Sequence, residues 1–92
     1  MIPDKLKVGG LELHIEQVAG LAANRDRFGE FSPMEQKISI DISLPESKKE
    51  ETLMHEIIEV LNSCYELELE HEKITTLGFA LYQVLKDNKL HF

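Results

Sequence analysis

Hydrophobic and polar residues alternate in the first part of the chain, which is the pattern of β-strands with one buried face. The alternation covers residues 5–8 and 11–18, and Gly9-Gly10 between them is typical of a tight hairpin turn. The side chains predicted to face the core are Leu6, Val8, Leu11, Leu13 and Ile15. The polar side chains between them, including His14, are predicted to face solvent. This segment is therefore predicted to form a β-hairpin.

A second alternating segment follows a stretch without clear periodicity. Residues 19–27 are too weakly periodic for a helix and are predicted to form a loop. Strands are then predicted at 27–32 and 36–42, joined by a turn that contains a proline. The inward-facing side chains of the last strand are expected to be Ile38, Ile40 and Ile42. The pattern thus predicts a second hairpin.

The rest of the chain follows the 3.6-residue period of α-helices. Pro45 and two serine–glutamate pairs with capping-box spacing predict a helix over about 46–66, and a second helix is predicted over about 71–88. The short connection makes the two helices antiparallel neighbours. The predicted fold class is α+β, with a small antiparallel sheet of two hairpins followed by two antiparallel helices in a single domain of residues 1–92.

Each predicted helix has an apolar face and a polar face. In the first helix, the apolar arc consists of Leu53, Met54, Ile57, Ile58, Leu61, Cys64 and Tyr65. Its polar arc consists of His55, Glu56, Glu59, Asn62 and Glu66. The inner face of the second helix is expected to consist of Ile74, Leu77, Gly78, Leu81, Val84 and Leu85, with His71 facing inward beside it. Cys64 is the only cysteine, so it cannot form an internal disulfide and is expected to pack as a small hydrophobe.

Charge and composition exclude several classes of partner. The net charge of −7 repels phosphate backbones, and no stripe of lysine and arginine offsets it, so nucleic-acid binding is not expected. No segment approaches the roughly 20 apolar residues of a membrane span, and the start of the chain lacks the apolar region of a signal peptide. The expected location is the cytoplasm.

The polar arc of the first helix contains a candidate metal site. His55 and Glu59 lie one helical turn apart in the string His55-Glu56-x-x-Glu59. Zinc hydrolases usually have H-E-x-x-H here, but a carboxylate is also a zinc ligand. Glu56 is placed as the glutamate that takes a proton from the attacking water.

The third ligand is expected to come from the start of the second helix. His71 is favoured because imidazole suits zinc beside a carboxylate, and Glu70 and Glu72 are the alternatives. Residues 46–72 contain nine glutamates, so a solvated acidic helix face is the competing interpretation.

Three segments of the sequence resemble the small phage and prophage zincin-like proteins related to the ImmA/IrrE-type metallopeptidases. These segments are Lys37–Glu46, Glu51–Glu59 and Leu81–Asn88. The resemblance implies a minimal zincin-like fold with His55 as the first ligand of Zn²⁺, Glu56 as the catalytic base and Glu59 where the family usually has histidine. It also implies that an extended peptide adds to an edge strand, either Lys37–Ile42 or Phe28–Phe31.

Two functions follow from these observations. The first is a phage-derived zinc peptidase in the bacterial cytoplasm, with metal on His55, Glu59 and His71 and a peptide or protein as substrate. The second is a non-catalytic phage accessory protein that binds a protein partner through an acidic surface. Neither hypothesis specifies an oligomeric state.

Overall fold

Four strands and three helices make up the α+β fold in the computed structural model, which describes residues 1–25 and 27–92. In chain order the elements are β1 (Lys5–Val8), β2 (Leu11–Val18), α1 (Leu21–Arg25), β3 (Gly29–Ser32), β4 (Lys37–Asp41), α2 (Glu46–Tyr65) and α3 (His71–Asp87). The strands form one sheet, α2 packs against it, and α3 packs mainly against α2. None of the helices in the described part of the chain is long and apolar enough to cross a membrane.

The sheet is mixed, so the prediction of a fully antiparallel sheet is wrong at one junction. The strand order is β1-β2-β4-β3, with antiparallel pairs at both edges and a parallel pair of β2 with β4 in the centre. The parallel register places Ile15 beside Ile38, and both side chains are buried. Hairpin signals in the sequence determine the pairing within each hairpin. They do not determine how two hairpins join, which depends on the shared core.

The predicted loop at residues 19–27 contains a short helix, α1, that the local pattern did not indicate. A distant side chain caps this helix: the Ala22 N–H donates to Asp41 Oδ2 at 2.7 Å. Asp41 Oδ1 also accepts hydrogen bonds from the Ser43 N–H at 2.8 Å and the Ser43 hydroxyl at 2.6 Å. The hydrogen bonds from Ala22 and Ser43 lower the pKa of Asp41. Residue 26, within the predicted loop, lies outside the described residues.

The chain turns after Asp41, and this turn corrects the prediction for the end of β4. Ile42 was expected to point into the core, but it is exposed. Its neighbours Ile38 and Ile40 are fully buried, as predicted. The Asp41–Ser43 hydrogen bonds end the alternation of β4 one residue early.

α2 is buried on two sides, because the sheet lies against one face and α3 against another. Its buried residues are Thr52, Leu53, Glu56, Ile58 and Val60. Cys64 and Tyr65, which were predicted to lie on the apolar arc, are exposed at the end of the helix. A helical wheel with a single buried face therefore does not describe this helix.

α3 buries a narrower face than predicted. Ile74 and Gly78 are its buried residues, whereas Leu77, Leu81 and Val84 are exposed. α3 packs mainly against α2 and not against the sheet, so only the narrow strip of α3 that faces α2 is buried.

Gly78 lies at the closest approach of α3 to α2. A Cβ atom at this position would be 3.1 Å from His55 Cα and 3.3 Å from His55 N. Both atoms belong to the backbone of α2, so no side-chain rotation could relieve the contact. The small residue therefore sets the distance between the two helices at His55.

Gly78→Ala is expected to destabilise the fold by about 1 kcal/mol, because an overpacking cost of about 1–3 kcal/mol exceeds the gain of about 1 kcal/mol in helix propensity. Urea unfolding of both proteins would measure this difference. Thr76→Ala is the matched control, since Thr76 is exposed on the same helix. Equal stability of the two variants would contradict the close contact between Gly78 and the backbone of His55.

Candidate metal centre

A cleft of about 810 Å³ lies where β3, α2 and α3 meet. One wall is the end of β3 with Phe28, the floor is α2, and the other wall is formed by His71, Thr75 and Phe79 of α3. These three α3 residues are spaced four apart, so they lie on one side of their helix. The four candidate residues of the sequence, His55, Glu56, Glu59 and His71, all line this cleft.

His55, Glu59 and His71 converge on one point in the cleft. Glu59 Oε2 is 3.9 Å from His55 Nε2 and 3.8 Å from His71 Nδ1. The two imidazole rings are 5.1 Å apart between centroids, at an angle of 66°. The ligand atoms of a tetrahedral zinc site are about 3.3 Å apart, given metal–ligand bonds of about 2.0–2.2 Å. Small side-chain rotations would therefore be sufficient to bring these three atoms into the range that zinc requires.

The group is distinctive among the residues that the structure describes. It is the one set of three or more histidine, cysteine or acidic side chains placed closely enough to hold a metal, with all ligand atoms within 4.8 Å of one another. The alternative third ligands of the sequence analysis, Glu70 and Glu72, are not part of this group. Of the three candidates for a third ligand, His71 is therefore the one that lies in this group, although its side chain is 75% exposed and does not face inward as predicted.

The connection between the helices brings His71 back towards Glu59. Asn62 holds this connection through two hydrogen bonds: its Nδ2 donates to the Leu69 carbonyl at 3.2 Å, and its Oδ1 accepts from the Leu69 N–H at 2.9 Å. Glu66 adopts the left-handed conformation that ends α2, with φ of 50°. Sequence analysis placed Asn62 on the polar arc but did not identify this role, because its partners are backbone groups in the loop.

The environment of His55 favours the neutral imidazole that binds metals. Burial of the ring lowers the pKa of His55, and the charges of His71 and Lys48 act in the same direction, whereas Glu59 opposes them. The side chain is 20% exposed, so it is still reachable from the cleft. A neutral ring is available at neutral pH without the loss of a proton on metal binding.

Glu56 is buried, which corrects its assignment to a solvated polar arc. Glu56 is 6% exposed, on a helix that packs against both the sheet and α3. Burial raises the pKa of Glu56 to about 7, and the negative charges of Glu59 and Glu30 add to this effect, while Arg27 reduces it. A carboxyl group with this pKa can both accept and donate a proton near neutral pH.

β3 is the edge strand beside the cleft. The other candidate edge of the sequence analysis, Lys37–Ile42, is excluded because β4 pairs with a strand on each side. The pairing of β3 extends to Phe28, whose carbonyl accepts a hydrogen bond from the Asp41 N–H at 2.9 Å. Among the residues that the structure describes, β4 is the one strand that pairs with β3, so β3 ends the sheet on this side.

Gly29 allows β3 to lie close to α2 at this edge. A Cβ atom on Gly29 would be 2.7 Å from Thr52 Cγ2 and 3.1 Å from the Ser39 carbonyl oxygen. Gly29 thus lines the cleft at the strand wall, whereas Gly78 acts at the contact between α2 and α3, next to the backbone of His55.

Comparison of the chain with protein families, curated proteins and solved structures found no match. The resemblance to the ImmA/IrrE-type metallopeptidases therefore stays a prediction from the sequence segments that carry it.

The buried Glu56 predicts a pH dependence of stability in metal-free protein. Its pKa is about 7 in the folded state against 4.5 ordinarily, so the folded state binds the proton more tightly. The resulting stabilisation is complete below about pH 4.5 and is lost as the pH rises through about 7, with a total of about 3 kcal/mol. Glu56→Gln keeps an uncharged side chain at every pH and so removes this pH dependence; the variant should match the wild type at low pH and exceed its stability at high pH.

Urea unfolding across this pH range in the presence of a chelator would measure the effect. Glu12→Gln, an exposed change on β2, is the control and should differ from the wild type by a constant amount. A difference between wild type and Glu56→Gln that does not vary with pH would contradict the assignment.

Proposed function

We propose that the chain is a minimal zinc-dependent peptidase. The observation that carries the proposal is the convergence of three ligand atoms, from His55, Glu59 and His71, within 4.8 Å of one another beside a buried glutamate. Two imidazoles and one carboxylate are a donor set found in catalytic zinc sites, where a fourth position is left open. The cleft beside these residues provides room for that position.

Zn²⁺ bound at this position would supply Lewis-acid polarisation of the scissile carbonyl group and of a water molecule. His55 and Glu59 would hold it from one turn of α2, and His71 would complete the set from α3. Because the ligands come from two helices, metal binding would also stabilise the packing of α3 against α2.

Glu56 is the proposed general base and acid. With a pKa of about 7, it accepts a proton from the attacking water and donates it to the leaving amine. The low polarity around this carboxyl group favours the protonated form that the second step needs.

The substrate is proposed to bind as an extended peptide against β3. The peptide main chain would lie along the outer edge of β3 as an added strand, and the position of β3 would direct the peptide along the cleft. Phe28 and Phe79 line the two walls and are both exposed, so they are available to apolar side chains of the peptide.

The metal site predicts about one zinc per chain in tag-free protein, measured by elemental analysis. His55→Ala and His71→Ala should each lower the zinc content severely, because loss of one of three protein ligands leaves an incomplete site. His14→Ala is the matched control, since His14 is exposed on β2 and does not line the cleft. The proposal fails if the wild type contains no zinc and zinc gives no increase in its melting temperature.

Catalysis is tested separately with Glu56→Gln, which is expected to keep the zinc and to lower hydrolysis by about 10²-fold or more. Cleavage of an unfolded protein and of a mixed peptide library, followed by mass spectrometry, would measure this. Glu12→Gln should cleave at the wild-type rate. Hydrolysis that survives Glu56→Gln would exclude Glu56 as the base, and zinc binding without hydrolysis in the wild type would favour the non-catalytic binding protein.

A further inference from the structure

α3 exposes an apolar stripe on the side away from the cleft. The stripe consists of Leu77, Leu81 and Val84, which are 41%, 43% and 41% exposed. At about 100° per residue, the three side chains lie within about 60° of one another. The cleft-lining residues of α3 lie about 150° further round the helix. The stripe is therefore a separate surface, and its occupation would leave the cleft open.

The stripe is apolar surface of α3 that lies outside the cleft and that the fold leaves uncovered. Ile74 and Gly78 bury the strip that faces α2, and the next row of apolar side chains faces solvent. A contiguous apolar row along a surface helix is unfavourable in water and marks an interaction surface.

Two charged residues flank the stripe and indicate what covers it. Lys73 lies one turn before Leu77, and Asp87 lies about one turn after Val84. Both are exposed, and helical geometry places them on the same side of the stripe. The two ends of one surface therefore carry opposite charges.

This arrangement is self-complementary for an antiparallel pair of α3 helices. A two-fold axis near Leu81 places Leu77 against Val84 of the second copy and Leu81 against its own counterpart. The same operation places Lys73 against Asp87 of the second copy, twice in the pair. In a parallel pair, the two lysines would lie at one end and the two aspartates at the other, so no opposite charges would face each other.

We propose that the stripe is the interface of a homodimer in which the α3 helices of two copies pack antiparallel, with Lys73 and Asp87 paired across the axis. The proposal does not depend on the metal site. The contact is limited to helices of 17 residues, or about 25 Å, so the interface belongs to the small and weak class.

Sedimentation equilibrium of the full chain would test the dimer. The wild type should approach twice its mass of 10.6 kDa as the concentration rises to about 500 µM. Leu81→Lys should remain monomeric, because the two-fold axis brings two lysines together. Leu67→Lys is the matched control, since Leu67 is 50% exposed outside the stripe, and it should dimerise as the wild type does. Far-UV circular dichroism would verify that each variant is folded.

A charge exchange tests the register of the pair. Lys73→Glu and Asp87→Lys should each weaken dimerisation by about tenfold, because each creates two like-charged contacts. The double variant exchanges the charges and should regain the wild-type dissociation constant. The proposal is overturned if the wild type is a monomer at every concentration, if Leu81→Lys dimerises normally, or if the double variant fails to recover.

Discussion

The burial of α2 between the sheet and α3 is the constraint on which the rest of the structure depends. Leu53 and Val60 bury apolar area in the core, and Gly78 lets α3 approach to the backbone of His55. The same helix carries His55, Glu56 and Glu59, so the packing that stabilises the fold also fixes the candidate site. A change in the distance between α2 and α3 would displace His71 relative to Glu59, since the two residues lie on different helices.

Sequence periodicity was sufficient for the elements that depend on local physics. Alternation and the glycine pair predicted β1 and β2, and the 3.6-residue period predicted both long helices. Periodicity was not sufficient for the features that depend on contacts between residues far apart in the sequence. The cap that Asp41 provides to α1 spans 19 residues, and the parallel pairing of β2 with β4 depends on a core shared by two hairpins. Neither contact leaves a pattern within one window of sequence.

The candidate site likewise combines features that the sequence predicted with features that depend on contacts between distant residues. The spacing of His55 and Glu59 placed both on one turn of a helix, and the structure brings them together with His71. The position of His71 depends on the hydrogen bonds between Asn62 and the Leu69 backbone, which the spacing of residues in the sequence does not reveal. The burial of Glu56 was missed because a helical wheel assumes one covered face, whereas α2 has two. The property that most suits Glu56 to proton transfer therefore arises from tertiary packing.

The position of β3 at the edge of the sheet also has a consequence for the behaviour of the chain in concentrated solution. An unpaired strand edge is a template for any extended segment, including the strands of other molecules, and is therefore a site where aggregation can begin. β3 limits this risk because it is only four residues long and carries a charge at Glu30. Lengthening this strand, or replacing Glu30 with an apolar residue, would remove both of these protections against strand-to-strand aggregation.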